Sequence, residues 1–191
     1  MINCDLHDYV LAEKFDMLDP KIKVVDRLNI VALAGVLVLC IGGAIVNYCL
    51  RMLGEPAGMY IVYILCGVVL TVLYMYLHEL AHAFAIIAVK HKRPKIKFGK
   101  RVASCGSPDI IYTKVQYAFV ALFPLVLFCI VLVPLCIILD AQFFVLPFMP
   151  LTYNILGSFG DIYMVNRVMK APRKCVVVDE GTEVRLYIRV E

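Results

Sequence analysis

The stretch His78-Glu79-Leu80-Ala81-His82 lies in the last third of a 32-residue apolar run from Gly58 to Val89. A helix of that length is about 48 Å long, whereas the hydrocarbon core of a bilayer is about 30 Å thick. The run therefore predicts a membrane helix that tilts strongly, breaks, or continues into water at Lys90. The composition agrees, because 62% of the residues are hydrophobic and only 18% are charged, which is typical of a membrane protein.

Three further apolar runs bring the number of predicted membrane spans to four. They are Ile30 to Leu50, Val115 to Leu139 and Ala141 to Val165, each long enough to cross the hydrocarbon core as a helix. The sequence thus predicts an all-α membrane protein with about four transmembrane helices. Prolines inside the last two runs are tolerated in such helices, because neighbouring groups satisfy the freed backbone atoms.

Short elements are predicted outside the spans. Asp8 to Leu18 has the pattern of a short cytoplasmic amphipathic helix that turns Tyr9, Leu11 and Phe15 toward lipid. Near the other end, Cys175 to Val178 and Glu183 to Val190 flank the turn-forming segment Asp179-Glu180-Gly181-Thr182, which predicts a β-hairpin. The segment Lys95 to Val102 partly alternates polar and apolar residues, as a short strand does.

The basic residues predict the topology. Of the 19 Lys and Arg residues, all but Arg51 fall in the N-terminal segment, the 90–114 loop or the C-terminal segment. Those three segments lie on one side of the membrane if there are four spans, and the positive-inside rule places that side in the cytoplasm. We expect a multi-pass cell-membrane protein of bacterial origin with both termini cytoplasmic. Contact with lipid headgroups explains the basic loop, and nucleic-acid binding is not needed.

The motif in the second run has the spacing of a zinc site. Residues i and i+4 share one face of a helix, so His78 and His82 can reach the same metal ion. Glu79 lies about 100° around the helix and can act as a general base toward water. Such groups are costly in an apolar helix unless they line a cavity or bind something. The alternative is a trio of polar side chains that only joins helices, or a site that has lost its activity.

Elimination indicates Asp161 as the third ligand. The other candidate side chains lie in cytoplasmic loops or on the outer side: His91, Asp109 and Asp140. Asp161 lies about six residues, or 9 Å, from the predicted cytoplasmic end of its span, and His82 lies about eight residues, or 12 Å, inside Lys90. These depths match, as a shared metal site requires. Two His and one carboxylate suit catalytic zinc, which keeps a position open for water.

Two neighbours of Asp161 are further candidates. Asn154, Ser158 and Asp161 are spaced i, i+4 and i+7, so on one continuous helix they form a polar stripe. Asn154 is expected to contact the substrate backbone or the attacking water. Ser158 is expected either to position substrate or to form a hydrogen bond between helices.

The chain resembles the site-2 protease class of intramembrane zinc metalloproteases, and looks closest to its small bacterial branch of zincin-like peptidases. The resemblance rests on His78 to His82 and on Asn154 to Asp161, and it covers roughly residues 58–165. It implies a three-helix core, zinc bound by His78, His82 and Asp161, and activation of water by Glu79. The implied organisation is a cytoplasmic segment (1–27), a first span with a short external loop (28–57), the metalloprotease-like core (58–169) and a cytoplasmic tail (170–191).

The leading functional prediction is a zinc-dependent intramembrane endopeptidase that cleaves membrane-embedded or membrane-associated peptides. An inactive metalloprotease-like scaffold or accessory protein is the alternative, although a purely structural metal site has no use for Glu79. A di-iron hydroxylase is disfavoured because such sites need about eight His by family analogy, and this chain has 4. A transporter is disfavoured because four spans without an internal repeat do not fit that class.

Overall fold

Four α-helices and six β-strands are present in the part of the chain that the computed structural model describes, which is residues 9–16, 41, 57–98, 103–172, 174–181 and 183–189. In chain order the elements are β1 (Tyr9–Asp16), α1 (Ala57–Lys90), β2 (Lys95–Phe98), β3 (Ala103–Gly106), β4 (Ile111–Tyr112), α2 (Lys114–Ile138), a 3₁₀ turn (Ala141–Phe143), α3 (Val145–Gly157), α4 (Phe159–Lys170), β5 (Cys175–Asp179) and β6 (Glu183–Arg189).

The chain divides into two compact units, and both α1 and α2 run through the division. The strand-containing unit comprises the described residues within Met1–Val25, Glu79–Phe123 and Gly160–Glu191. The helical unit comprises those within Asp26–His78 and Pro124–Phe159. All six strands belong to the first unit, whereas α3 and most of α1 and α2 belong to the second.

Two of the described helices, α1 and α2, are long and apolar enough to cross a membrane. Their apolar side chains are largely exposed rather than packed in a core: Leu65 is 60% exposed, Ile130 67% and Ile137 77%. Apolar surface of this extent is typical of contact with lipid or with other apolar partners. Helix α1 is unbroken over 34 residues. Of the three alternatives predicted for this apolar run, which were a strong tilt, a break and continuation into water, the break is therefore wrong. The helix ends where His91 takes up a left-handed conformation (φ 55°), a common way to terminate a helix.

The prediction of four membrane spans is not supported. The runs Gly58 to Val89 and Val115 to Leu139 are confirmed as α1 and α2. The run Ala141 to Val165 is not one helix, because α3 ends at Gly157 and α4 begins at Phe159. Thirteen residues of α3 span only about 20 Å. Apart from Ile41, the predicted span Ile30 to Leu50 lies outside the described residues.

The break after Gly157 has a local cause. The N–H of Ser158 still bonds to the carbonyl of Asn154 at 3.2 Å, and its backbone stays in the right-handed helical region, but its ψ of 0° departs from the value of about −42° in an α-helix. Gly157 and Gly160 flank the break, and each glycine in a helix costs about 1 kcal/mol relative to alanine. The weakened segment divides into two short helices.

The fold also corrects the all-α prediction. Four antiparallel strands form a sheet in the order β1-β6-β5-β4, with Cys175 opposite Ile188 and Ile111 opposite Val178. A second, two-stranded sheet pairs β2 with β3. The described chain is therefore mostly helical but contains a substantial sheet. The predicted hairpin is confirmed as β5 and β6, and the predicted strand after Lys95 as β2.

The predicted N-terminal helix is wrong, because Tyr9–Asp16 forms strand β1 against β6. A helix of about eleven residues is marginal on its own, whereas β6 offers unpaired backbone groups along its edge. Strand pairing also buries Phe15, which is 7% exposed, while Leu11 stays 48% exposed. An ion pair between Arg167 and Glu13 at 2.9 Å adds a contact from α4.

The core of the strand-containing unit packs α1 and α4 residues against the sheet. Its most buried members include Ile86, Val168, Val177 and Leu186, all at most 2% exposed. Burial of one such side chain stabilises a protein by about 1.5–3 kcal/mol. This core fixes the part of α1 that carries His82 relative to the start of α4.

Gly106 ends β3 in a close approach to the β5–β6 turn. A Cβ atom at this position would lie 2.4 Å from the backbone nitrogen of Gly181. Next to it, the N–H of Ser107 donates to the carbonyl of Asp179 at 2.8 Å. Gly181 itself has a φ of 97°, which favours glycine. The end of β3 is thereby tied to the turn.

Candidate metal centre

Helix α1 carries both histidines of the motif. His78 and His82 lie one turn apart on the unbroken helix, so their side chains project from the same face. Both are half-buried, as is Glu79 between them. The helical periodicity predicted from the sequence is thus realised without a break.

Asp161 is the carboxylate that meets this face. It lies in the first turn of α4, where a negative charge is favoured by the helix dipole. Within the strand-containing unit, its Oδ2 is 3.7 Å from Nε2 of His82. This distance is too long for a hydrogen bond. It is close to the separation of about 3.4 Å expected of two tetrahedral zinc ligands each about 2.1 Å from the ion.

The three predicted ligands come together. One ligand atom from each of His78, His82 and Asp161 lies within 4.8 Å of the other two. The position of His78 in this group follows from α1, because it precedes His82 by one turn of the same helix. Two imidazoles and one carboxylate on half-buried side chains are the donor set of a catalytic zinc site with an open position. The residues present therefore fit a zinc ion.

Both imidazole rings also form hydrogen bonds at Nδ1. The Nδ1 of His82 is 3.1 Å from the carbonyl oxygen of Val120 on α2. The Nδ1 of His78 is 2.6 Å from the hydroxyl oxygen of Tyr74. Hydrogen bonds of this kind fix the orientation of metal-binding histidines in proteins. In both rings Nε2 is the nitrogen left for a metal.

Asn154 lies behind Tyr74 in the helical unit rather than in the ligand cluster. Its Oδ1 accepts a hydrogen bond from the Tyr74 hydroxyl at 2.6 Å, and its Nδ2 donates to the carbonyl of Leu125 at 3.1 Å. The break after Gly157 separates it from Asp161, so the two do not share one helix face. The substrate- or water-positioning roles predicted for Asn154 and Ser158 stay predictions, and both side chains are 0% exposed.

Tyr74 was not singled out by the sequence pattern, although its spacing contains a signal. It precedes His78 by four residues and therefore lies on the same face of α1. Extending the i, i+4 stripe of the motif by one turn identifies it. A tyrosine in an apolar helix has an ordinary explanation as a packing residue, which is why spacing alone does not assign it a role.

The acidic surroundings of the motif extend to β3 and β5. Burial, and then the carboxylates of Glu79 and Asp179, raise the pKa of Cys105 to about 12. Cys105 is therefore a protonated thiol at neutral pH, and it is unsuited to act as a nucleophile. Burial raises the pKa of Asp179 to about 7, although the N–H of Gly181 donates to its Oδ1 at 2.7 Å.

Comparison with known proteins gives one finding at the level of protein families. A family model described as "Putative zincin peptidase" matches residues 70–176, which is more than half of the 191 residues. The matched range contains all three clustered ligands together with Glu79. Neither the curated proteins nor the solved structures give a match.

Proposed function

Because the chain belongs to the family described as "Putative zincin peptidase", we propose that it is a zinc-dependent intramembrane endopeptidase of the site-2 protease type. Membership of this family supports the assignment of zinc metallopeptidase activity. The observation that carries the proposal is the cluster of His78, His82 and Asp161, whose ligand atoms lie within 4.8 Å of one another. Its donor atoms match those of catalytic rather than closed structural zinc sites.

The chemical roles follow from the residue types. His78, His82 and Asp161 would hold the zinc ion, which would supply a Lewis acid for the scissile carbonyl and for water. Glu79 removes a proton from the attacking water and returns it to the nitrogen of the leaving amine. Its place beside His78 on the same helix puts this carboxylate next to the cluster. A structural zinc site would not need that base.

The intramembrane part of the proposal rests on the helices that carry the site. The motif lies in the last third of α1, a helix long and apolar enough to cross a membrane, and α2 is of the same kind. A cluster of basic residues begins at Lys90, the last residue of α1, and Lys92 donates to the carbonyl of Asp109 at 2.9 Å. A cytoplasmic position of these residues, as the positive-inside rule favours, lets water reach the site from that face.

The substrate class follows from the same placement. A site in an apolar helix near the membrane surface favours a membrane-spanning or membrane-associated polypeptide, embedded in the same lipid bilayer. The two-stranded sheet of β2 and β3 follows α1 directly. A strand edge is a recognised means of capturing an extended peptide, and we include this sheet in the proposed substrate path.

Metal analysis tests the ligand set. The full chain is purified in detergent without chelator, and zinc is counted by mass spectrometry. We expect about one zinc ion per wild-type chain, and a large loss in His78→Ala and in Asp161→Ala. Asp140→Ala is the matched control, because Asp140 is an exposed acid outside the cluster. A wild type with well under one zinc ion, or an Asp161→Ala variant with full occupancy, contradicts the proposed ligands.

Activity tests the role of the base. The probe is fluorescently labelled casein, an unstructured polypeptide, added to the zinc-loaded protein in detergent. Glu79→Gln should keep the metal and lose cleavage, because the amide cannot accept a proton from water. A Glu79→Gln variant that cleaves like the wild type refutes the general-base assignment. A zinc-loaded wild type that cleaves neither casein nor a reconstituted single-span peptide favours the inactive scaffold.

A further inference from the structure

Each of the two motif histidines has a defined hydrogen-bond acceptor at Nδ1, and these acceptors come from residues outside the motif. We propose that Tyr74, backed by Asn154, and Pro124 are positioning residues that hold His78 and His82 with Nδ1 protonated and Nε2 turned to the metal. This inference rests on the proposed zinc site and assigns the residues that orient its ligands.

The hydrogen bonds that connect His78 to the Leu125 carbonyl have defined directions, because that carbonyl can only accept. The carbonyl of Leu125 can only accept, so the atom of Asn154 that lies 3.1 Å from it is the donor Nδ2. The other amide atom, Oδ1, therefore accepts the one hydroxyl proton of Tyr74, at 2.6 Å. Tyr74 then accepts from the imidazole at 2.6 Å, so Nδ1 of His78 carries the proton.

This chain of hydrogen bonds is rigid and shielded from water. Asn154 is 0% exposed and Tyr74 is 4% exposed. The Tyr74 ring makes edge contacts with Phe128 and Tyr153, with ring centroids 4.8 and 5.9 Å apart. Hydrogen bonds in such an environment are electrostatically stronger than in water. The position of the Tyr74 hydroxyl, and with it the orientation of the His78 ring, is thereby fixed.

His82 has a different acceptor, which a proline makes accessible. In an α-helix the carbonyl of residue i accepts from the N–H of residue i+4. For Val120 that residue is Pro124, which has no N–H. The carbonyl of Val120 therefore lacks its usual helical donor, and Nδ1 of His82 lies 3.1 Å from it. Since a carbonyl only accepts, Nδ1 of His82 carries the proton.

The two arrangements have the same result for the metal. A neutral imidazole has one protonated nitrogen and one lone pair, so protonation at Nδ1 leaves the lone pair on Nε2. In His82 this atom is 3.7 Å from Oδ2 of Asp161, the third ligand. Loss of such supporting hydrogen bonds typically weakens metal binding by about 10–100-fold. Pro124 thus has a role in the site although it contributes no ligand atom.

The chain offers matched variants for a test. Tyr74→Phe removes the hydroxyl, and Tyr76→Phe makes the same change two residues further along α1, where the side chain is 51% exposed. Pro124→Ala restores a backbone N–H that competes for the Val120 carbonyl. Pro134→Ala makes the same change in α2, where the corresponding carbonyl belongs to Ile130, whose side chain is 67% exposed. Alanine favours helices, so neither proline variant should unfold the protein.

The measurement is binding of Co²⁺ to each full-length variant in detergent, because the visible absorption of Co²⁺ reports ligand geometry independently of activity. Zinc affinity is then measured by displacement. We expect Tyr74→Phe and Pro124→Ala each to bind zinc about 10-fold or more weakly and to shift the Co²⁺ spectrum, with both controls unchanged. If the two variants match their controls in affinity and spectrum, the inference is wrong while the zinc site stands. If the wild type binds no Co²⁺ or zinc, the proposed function itself fails.

Discussion

Replacing Asp179 by asparagine should stabilise the protein at alkaline pH and not at acid pH. Asp179 ends β5, where burial is the main cause that raises its pKa to about 7, and the carboxylates of Asp161 and Glu79 act in the same direction. The N–H of Gly181, which donates to Oδ1, opposes the shift. The folded protein therefore binds this proton more tightly than the unfolded chain does. The stabilisation is fully present below about pH 4 and is lost as the pH rises to about 7.

The size of the effect follows from the two pKa values. A rise from 3.8 to about 7 corresponds to about 4 kcal/mol of lost stability above pH 7. The side chain is half-buried, so water screens part of this cost and about 1–2 kcal/mol should remain. Asparagine keeps an oxygen to accept from Gly181 and never ionises. In a protein of this size the gain corresponds to a rise of about 2–8 °C in the unfolding midpoint.

The assay is thermal unfolding of wild type and Asp179→Asn in detergent at pH 5 and pH 8, monitored by fluorescence of a thiol-reactive dye. The variant should unfold at a higher temperature than the wild type at pH 8, and the difference should shrink at pH 5. Asp109→Asn is the control, because Asp109 is exposed in the loop before β4. A variant that is equally or less stable than the wild type at pH 8 refutes the reasoning.

Three other changes test separate parts of the structure. Gly106→Ala should lower the unfolding midpoint strongly, because its Cβ would lie 2.4 Å from a backbone nitrogen. In Gly160→Ala the new Cβ meets nothing within 4 Å, so this control should keep the wild-type midpoint. Equal midpoints of the two variants would contradict the close approach of β3. Zinc at 100 times its dissociation constant should add about 2.7 kcal/mol of stability, and chelator should remove this gain in the wild type but change nothing in His78→Ala. Phe15→Ala should lower the free energy of unfolding by about 3 kcal/mol, because Phe15 is 7% exposed. Val10→Ala, at a site 59% exposed, should lower it little. Unfolding curves of the two variants that coincide would show that β1 is not packed as described.

The features that the sequence predicts well are those that depend on neighbours within one element. His78, Glu79 and His82 are related by helical periodicity alone, and α1 preserves that periodicity without a break. The hairpin of β5 and β6 is signalled by the turn-forming residues between its strands. The sequence predicts Asp161 as a ligand by elimination of the other candidates, and the structure places its carboxylate beside the two histidines.

The features that the sequence predicts poorly depend on distant partners or on backbone atoms. The segment Asp8 to Leu18 has the pattern of an amphipathic helix, but Tyr9–Asp16 within it forms a strand because β6 is available to pair with it. The break after Gly157 depends on small differences in helix propensity, and hydropathy alone, by which the run was predicted to be one span, does not detect them. The acceptor for His82 is a backbone carbonyl of Val120, and no side-chain pattern reveals a carbonyl. The only feature of the sequence that indicates this free carbonyl is Pro124, four residues after Val120.

The pairing of β1 with β6 also constrains the order of assembly during synthesis. The two strands are separated by more than 160 residues along the chain, which a ribosome adds over roughly 8–30 s at about 5–20 residues per second. Throughout that interval β1 has no partner strand, although the residues of the proposed zinc site have already been made before β6 emerges. Metal capture can therefore precede completion of the sheet. A deletion that removes β6 would leave the backbone edge of β1 unpaired, and aggregation rather than loss of zinc would be its first consequence.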